Sequence, residues 1–249
     1  MNKTIRLSAL MLLSLCLAPL AAADVKEKLE AAMAADSRPQ ADKDRDANRK
    51  PVETLAFFGL KDDMRVLELL PGGAWYTRLL APVLQEKGKL YAAIGTQRVE
   101  AMLASGELTG VEVVQTKGEF VRPEGQRRFQ LDGLEIPVDN LDMVLTFRNM
   151  HNFTEQGRKD LNAATFKALK KGGLYGVVDH TRRHMQEDNY ENWRRMDPVE
   201  MIKEIEAAGF EFVDYSTLHY RPDDELRYEV GRKTVTGNTD RFTLLFRKP

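Results

Sequence analysis

The chain of 249 residues contains a single cysteine, Cys16, so a disulfide framework within it is excluded. This cysteine lies in a leader that combines Lys3 and Arg6 with an apolar stretch and three consecutive alanines. The pattern predicts a secretory signal peptide over residues 1–23, cleaved near Ala23, because the apolar stretch is too short to span a bilayer. An uncleaved membrane anchor is the alternative that the pattern leaves open.

A large excess of either charge is also lacking, since 37 basic residues stand against 38 acidic ones. Loss of Lys3 and Arg6 with the signal peptide leaves 35 basic residues and a net charge of −3. Nucleic-acid-binding domains normally carry a basic excess or stripe, so nucleic acid is not an expected partner. The mature chain without a thiol suits an oxidising compartment. We expect a periplasmic or secreted protein with no stable membrane anchor after cleavage.

Tandem repeats and low-complexity tracts are absent, and the mature chain is long enough for one large domain. Residues 24–44 are polar and predict a short helix and a charged linker, whereas residues 45–249 form the main domain. In that domain, short apolar runs alternate with helical segments. The predicted strands are 64–70, 89–95, 111–117, 141–147, 174–179, 210–218 and 241–247.

The helices predicted between these strands cover residues 75–85, 97–105, 154–170 and 198–208. Such alternation implies right-handed crossovers and a mainly parallel sheet with helices on both faces. No helix is expected between the last two strands, which predicts that they form an antiparallel pair. The fold class is therefore a doubly wound α/β domain with a seven-stranded sheet.

The first predicted strand leads into a glycine-containing turn, "ELLPGGAWYT". In doubly wound sheets, ligands bind at the carboxyl ends of the strands. Gly72 and Gly73 let the backbone approach a ligand without a Cβ in the way, and the next helix points free amide groups at the same place. Glu68 is positioned to accept hydrogen bonds from a ligand or to orient the loop. A purely structural turn is the alternative, and we expect Trp75 and Tyr76 to lie in the core.

Polar side chains also follow the fourth and fifth predicted strands. Arg148, Asn149 and His151 come after the fourth strand, and His180 comes at the end of the fifth. Both histidines are candidates for a general base or a ligand-binding donor, and a purely structural histidine is the alternative. Together with Asp179 and His184 they suggest a metal-dependent hydrolase as a distant alternative. Their spacing matches no standard metal signature, so no metal is expected.

The order of these motifs resembles the class I S-adenosylmethionine-dependent methyltransferase fold, and within it an exported group of predicted methyltransferases. "VLELLPGGAWYTRLLAPVL" resembles the first, cofactor-binding motif, and "LDGLEIPVDNLDMVLTFRNMHNF" is similar to the adenine-contacting segment and the fourth strand. "FKALKKGGLYGVVDH", "IKEIEAAGFEFVDY" and "TDRFTLLFRKP" look like the last three strand regions. The resemblance covers residues 45–249 and implies S-adenosylmethionine as cofactor.

The resemblance also implies roles for single residues. Glu68, Gly72, Gly73 and Ala74 would surround the methionine part of the cofactor, and Asp132 would approach the adenine.

Arg148, Asn149 and His151 would line the methyl-transfer side, joined by Asp179 and His180, with Asn149 also contacting the cofactor. We assign His151 as the base and Arg148 as a cation that orients the substrate, with His180 as a third catalytic candidate.

Two departures from the family pattern affect the cofactor site. The family usually places three glycines at alternate positions after its acid, and here these positions hold Leu70, Gly72 and Ala74. The family also has an acid at the end of the second strand for the ribose hydroxyls, where this chain has Gly95. Glu100, one turn into the next helix, is the candidate substitute.

The leading interpretation is an exported methyltransferase that acts on a small-molecule or protein acceptor. A methyltransferase-like protein that binds a ligand without transferring a methyl group is the alternative, because a fold does not determine a function.

Overall fold

The computed structural model describes the backbone of residues 18–249 and the side chains from Val25 onward. The predicted signal peptide, with Cys16, lies almost wholly outside these residues, so its cleavage stays a prediction. Within the described part of the chain, no helix is both long enough and apolar enough to cross a membrane.

A seven-stranded sheet forms the centre of the protein, and a separate two-stranded hairpin lies beside it. The strands are β1 (Arg65–Leu69), β2 (Lys89–Ala93), β3 (Val111–Val114), β4 (Lys117–Val121), β5 (Gln130–Glu135), β6 (Leu141–Phe147), β7 (Leu169–His180), β8 (Glu211–Ser216) and β9 (Arg241–Arg247). The order in the large sheet is β3-β2-β1-β6-β7-β9-β8. The five neighbouring strands β3, β2, β1, β6 and β7 run parallel, and β9 pairs antiparallel with both β7 and β8. The predicted doubly wound fold and its antiparallel closing pair are confirmed.

Helices cover both faces of this sheet. They are α1 (Ala18–Ala34), α2 (Gln40–Lys43), α3 (Asp46–Arg49), α4 (Pro51–Phe57), α5 (Thr77–Leu84), α6 (Gln97–Ser105), α7 (Glu155–Ala168) and α8 (Pro198–Ala207), with a 3-10 turn at Met150–Asn152. Successive strand residues point to opposite faces, so Val66 packs with α1, α4, α5 and α6, whereas Leu67 packs with α7 and α8. Side-chain caps fix two helix starts, because Thr154 accepts from the Gly157 amide and Asp197 from the Val199 amide.

The segment 24–44 packs on the domain through apolar residues at helical spacing. Val25, Leu29 and Ala32 are buried in the same core cluster as the apolar side of α5. The charged stretch that follows is also held in place, since Arg38 forms a bidentate ion pair with Asp46 at 2.7 and 2.8 Å. This segment therefore packs on the face of the sheet that α5 covers.

The hairpin β4–β5 is the element that sequence reasoning missed, and the predicted strand 111–117 ends at Val114. Most hairpin side chains are exposed, so the apolar alternation that predicts a strand is weak. Gly118 is required there, because a Cβ at this position would lie 2.7 Å from the Asp132 carbonyl oxygen.

A buried ion pair joins the two long segments that follow β7 and precede β9. Arg195 donates to the Asp224 carboxylate at 2.8 and 3.0 Å, and both side chains are fully buried. The Asp224 carboxylate also accepts from the Asp240 amide at 2.6 Å, at the start of β9. The pair thus fixes irregular chain over the carboxyl end of the sheet.

We predict that Asp224→Asn lowers the free energy of unfolding by about 3–5 kcal/mol, because it leaves Arg195 buried without a compensating charge. Glu211→Gln is the matched control, since it breaks the exposed Arg247–Glu211 pair at 2.8 Å and is expected to cost no more than about 1 kcal/mol. Urea unfolding of both variants measures the difference, and equal costs would contradict the prediction.

Candidate functional site

The loop after β1 keeps an unusual backbone at three alternate positions. Leu70, Gly72 and Ala74 have φ values of 52°, 54° and 62°, in the left-handed region that favours glycine. These are the positions where the sequence departs from the three-glycine pattern. A non-glycine residue there costs roughly 1–2 kcal/mol, so Leu70 and Ala74 hold the loop shape at the expense of stability.

Open space adjoins this loop and the next strand end. Apart from the adjoining residues of the chain, no atom of the described residues lies within 4 Å of a Cβ built on Gly73 or on Gly95, and the nearest one to a Cβ on Gly72 is 4.0 Å away. Asn149 fixes the loop from β6, since its side-chain amide donates to the Leu70 carbonyl oxygen at 3.2 Å. The loop therefore leaves room for a ligand to approach its backbone, as the cofactor assignment requires.

Glu68 faces the start of α5. Its buried carboxyl group accepts a hydrogen bond of 2.7 Å from the Thr77 hydroxyl. Burial raises the pKa of Glu68 to about 7, against the smaller opposing effect of the Thr77 bond. This carboxyl group therefore joins the strand to the helix that follows the loop.

The family pattern places a ribose-binding acid at the end of β2. In this chain an acid, Glu100, comes one helical turn later. The Thr96 hydroxyl donates to Glu100 Oε1 at 2.7 Å, which fixes this carboxylate at the first turn of α6. Ile94 and Gly95 precede it with positive φ values of 65° and 66°. Glu100 is thus an anchored carboxylate beside the open space at Gly95.

A histidine and an aspartate form a buried pair across the ends of β6 and β7. His151 Nδ1 lies 2.7 Å from Asp179 Oδ1, and the His151 amide donates to Asp179 Oδ2 at 3.1 Å. Because a carboxylate only accepts, Nδ1 carries the proton and Nε2 keeps its lone pair. Among the described residues, nothing hydrogen-bonds to Nε2, and His151 lines a cavity of about 710 Å³. A histidine oriented in this way is equipped to accept a proton.

His180 has a different environment from His151, although the two rings are only 5.8 Å apart. Its Nδ1 lies 2.9 Å from the Thr239 hydroxyl. Burial, followed by the neighbouring His151 and Arg241, holds the pKa of His180 well below its usual value. A neutral imidazole at this position is suited to hydrogen bonding rather than to carrying charge.

The cavity is closed by two segments that sequence reasoning did not connect with the site. Arg45 and Arg49 come from the helical region before β1, Trp193 and Thr239 come from the chain between β7 and β9, and Arg241 is the first residue of β9. No local motif marks these residues, because only the tertiary fold brings them to the end of the sheet. Arg148, which the sequence did place here, also lines the cavity and has a positive φ of 64°.

Asp132 lies elsewhere. It is exposed on the β4–β5 hairpin, where Gln130 donates to its carboxylate at 2.6 Å, and it does not line the cavity that contains His151. Its predicted approach to an adenine stays a prediction.

The four residues of the metal alternative do not form one ligand set, because His184 has a different partner from the other three. His184 Nδ1 pairs with Asp197 at 2.8 Å, whereas Asp179 is bonded to His151 and to the His180 amide. The described residues contain no group of three or more histidine, cysteine or acidic side chains placed to hold a metal ion.

Trp75 and Tyr76 lie in the core, as expected. Tyr76 stacks on Phe147 at a ring separation of 3.5 Å, and the Arg49 guanidinium lies 4.4 Å from the Trp75 ring. The two aromatic rings thereby join the loop after β1 to the end of β6 and to the N-terminal segment.

Solved structures share this fold over nearly the whole chain. A SAM-dependent methyltransferase from Aquifex aeolicus matches with a TM-score of 0.58 and 17% identity, over 90% of this chain and 98% of its own. The fold is that of class I S-adenosylmethionine-dependent methyltransferases. Human N-acetylserotonin methyltransferase, solved with S-adenosylmethionine, matches with a TM-score of 0.52 and 14% identity, over 90% of this chain and 56% of its own.

A similar structure that is named as a cyclase limits what the fold implies about activity. The 4+2 cyclase SpnF matches with a TM-score of 0.55 and 16% identity, over 91% of this chain and 93% of its own. No protein-family model and no curated protein matches the sequence. Identities this low establish the fold, and the activity has to be argued from the site.

Glu68 gives a pH-dependent prediction. From pH 4.5 to about 7, Glu68 is ionised in the unfolded chain but protonated in the folded protein, so stability falls as pH rises through this window. The fall is on the order of 3 kcal/mol and is complete above pH 7. Glu68→Gln removes this titration. We therefore expect the difference in unfolding free energy, variant minus native, to rise by that amount between pH 4.5 and pH 8.

Urea unfolding across this pH range measures the difference between the two proteins. The subtraction also removes the contribution of His219, whose pKa is lowered to about 3 by burial and nearby cations and which affects stability in the opposite direction. A difference that stays constant with pH would show that Glu68 is not protonated in the folded protein.

Proposed function

We propose that the protein is an S-adenosylmethionine-dependent methyltransferase whose acceptor binds in the cavity beside His151. The observation that carries the proposal is the buried His151–Asp179 pair, which presents an unbonded Nε2 at the carboxyl end of a methyltransferase-type sheet. This is the edge at which doubly wound folds bind their ligands.

The residues around the β1 loop fit the cofactor. Gly72 and Gly73 would lie along its methionine part, where the backbone is open, and Glu100 would accept hydrogen bonds from the ribose. The bound cofactor supplies an electrophilic methyl group on a positively charged sulfur. Asn149 keeps the loop in place by binding the Leu70 carbonyl oxygen.

The acceptor would be activated by His151. Its Nε2 takes the proton from a hydroxyl, thiol or ammonium nucleophile, and Asp179 stabilises the imidazolium that forms. Methyl transfer depends mainly on in-line placement, so the remaining residues act by positioning the acceptor. Arg148 contributes to this positioning from the end of β6.

The second candidate function is a methyltransferase-like protein that binds a ligand without transferring a methyl group. The observation that favours it is the end of β2, where Gly95, Thr96 and Gln97 stand in place of a ribose-binding acid. Binding and transfer therefore have to be measured separately.

We further propose that the protein acts in the periplasm or outside the cell. The signal-peptide pattern of residues 1–23 and the absence of cysteine from residues 24–249 support this location.

The cofactor assignment predicts that calorimetric titration with S-adenosylmethionine and with S-adenosylhomocysteine gives saturable heat. Gly73→Val should abolish it, because the added side chain fills the open space beside the loop. Gly73 does not have a left-handed φ and no atom lies within 4 Å of its Cβ position, so the variant should fold. Gly73→Ala is the graded control and should weaken binding less.

Each outcome of this titration decides one point. No heat from the native protein at millimolar ligand would overturn the methyltransferase proposal. Native-like binding by a folded Gly73→Val variant would show that the ligand binds away from this loop. Urea unfolding of each variant provides the check on folding.

The assignment of His151 predicts that His151→Ala retains cofactor binding and loses methyl transfer by about 10²–10⁴-fold. Transfer is measured as the incorporation of a labelled methyl group from S-adenosylmethionine into the small-molecule and protein fractions of a periplasmic extract. His184→Ala is the matched control, because its ring is more than half exposed and pairs only with Asp197. Loss of cofactor binding in His151→Ala would identify a ligand contact or a structural role instead. Binding without any transfer by the native protein would favour the second candidate.

A further inference from the structure

The cavity beside His151 is lined by far more positive than negative charge. Its described lining includes five arginines and a single carboxylate side chain, that of Asp42. That carboxylate is occupied, because Arg78 donates to it at 3.1 Å from outside the cavity. The excess of positive charge in the wall is therefore not balanced by Asp42.

Two of the five arginines are accounted for by contacts within the protein. Arg194 is paired with Glu229, and Arg49 lies over the Trp75 ring at 4.4 Å. The other three are Arg45, Arg148 and Arg241.

None of these three guanidinium groups is paired with a carboxylate of a described residue; Arg45 is exposed to solvent, whereas Arg148 is partly buried and Arg241 is buried. Those of Arg45 and Arg148 make no hydrogen bond or ion pair with any described residue. Arg241 donates from Nη1 to the Asn48 carbonyl oxygen at 3.0 Å, whereas its Nε is buried without a partner. The Arg241 residue as a whole is only 7% exposed.

Asp179 lies close enough to Arg148 to affect its pKa, and the oxygens of Asp179 are already hydrogen-bonded. They accept from the His151 ring at 2.7 Å, from the His151 amide at 3.1 Å and from the His180 amide at 2.7 Å. Asp179 keeps its negative charge and acts to raise the pKa of Arg148, but among the described residues no carboxylate forms an ion pair with any of the three arginines.

The lowered pKa values of two of these arginines show that the arrangement destabilises their charged forms. Burial, followed by the proximity of Arg45, lowers the pKa of Arg148. Burial, followed by the proximity of Arg148, lowers the pKa of Arg241 to about 10. Uncompensated cations in a partly buried wall destabilise a protein, and an anion bound between them removes the penalty.

We infer that the acceptor is a small anion whose carboxylate or phosphate group binds between Arg148, Arg241 and Arg45. Its nucleophilic atom then lies toward His151 Nε2, and neutral His180 completes the wall without adding charge. That the anion is a methyl acceptor rests on the proposed function. Anion binding itself is measured without cofactor or turnover.

The experiment titrates inorganic phosphate and, separately, succinate into the protein at constant ionic strength. Fluorescence from Trp193, which lines the cavity, and thermal unfolding report binding. We expect saturable binding of at least one anion, and the comparison of the two arms identifies the phosphate or the carboxylate class. Arg148→Gln and Arg45→Gln should each weaken that binding by about tenfold or more.

Arg183→Gln is the matched control, since Arg183 is exposed and does not line the cavity. It removes the same charge and should leave anion affinity unchanged. Without anion, Arg148→Gln should also unfold at a higher temperature than the native protein, because it relieves repulsion from Arg45 and Arg241. A structural role for Arg148 would lower that temperature instead.

Three results would overturn the inference: no binding of either anion, native-like affinity in both cavity variants, or equal weakening by Arg183→Gln. Titration of the same samples with S-adenosylmethionine separates this failure from that of the proposed function. Cofactor binding without anion binding leaves the methyltransferase proposal intact, whereas anion binding without cofactor binding leaves only the anion site.

Discussion

The carboxylate of Asp179 is the contact on which the site depends. It is fully buried at the end of β7 and accepts three hydrogen bonds, two from His151 and one from the His180 amide. One of them fixes the backbone of the turn after β6, another fixes the His151 ring, and the third fixes the strand that carries His180. Because a buried carboxylate needs several donors, the same contact stabilises the strand ends and determines which histidine nitrogen is free.

Two features of the site, backbone strain and like charge, lower the stability of the folded protein. Leu70, Ala74 and Arg148 have backbone conformations that favour glycine, and the cations of Arg148 and Arg241 lie near each other in a wall without a free acid. Strain and like charge persist in a folded protein only where the rest of the structure compensates for them. Here the buried sheet and the Arg195–Asp224 pair hold the strand ends and the covering segments in place. The strained residues and the like charges are concentrated at the carboxyl end of the sheet. Such a concentration is typical of a binding site and not of a purely structural turn.

The sheet and the strand-end positions of Arg148, His151 and His180 could be predicted from the sequence, because buried strands leave apolar runs and parallel strands end on one edge. The partners of these residues could not. Arg45 is the first residue of the predicted main domain and belongs to no motif, and Arg241 opens a strand that is defined by its apolar residues. The β4–β5 hairpin was missed for a related reason, since its exposed side chains leave little alternation to detect. Sequence pattern reports burial well, whereas convergence of distant polar residues is a property of the tertiary fold.

The fold and the site answer different questions about this protein. A methyltransferase and a cyclase have comparable TM-scores against it, so the sheet cannot decide the chemistry. The altered glycine positions do not decide it either, because Leu70 and Ala74 keep the left-handed backbone that glycine would supply. The chemistry has to be argued from the side-chain set at the strand ends: a histidine with a free Nε2, a second histidine held neutral, and arginines without a carboxylate partner among the described residues. Such a set favours an anionic molecule with a proton to lose, which is the class of acceptor that we propose.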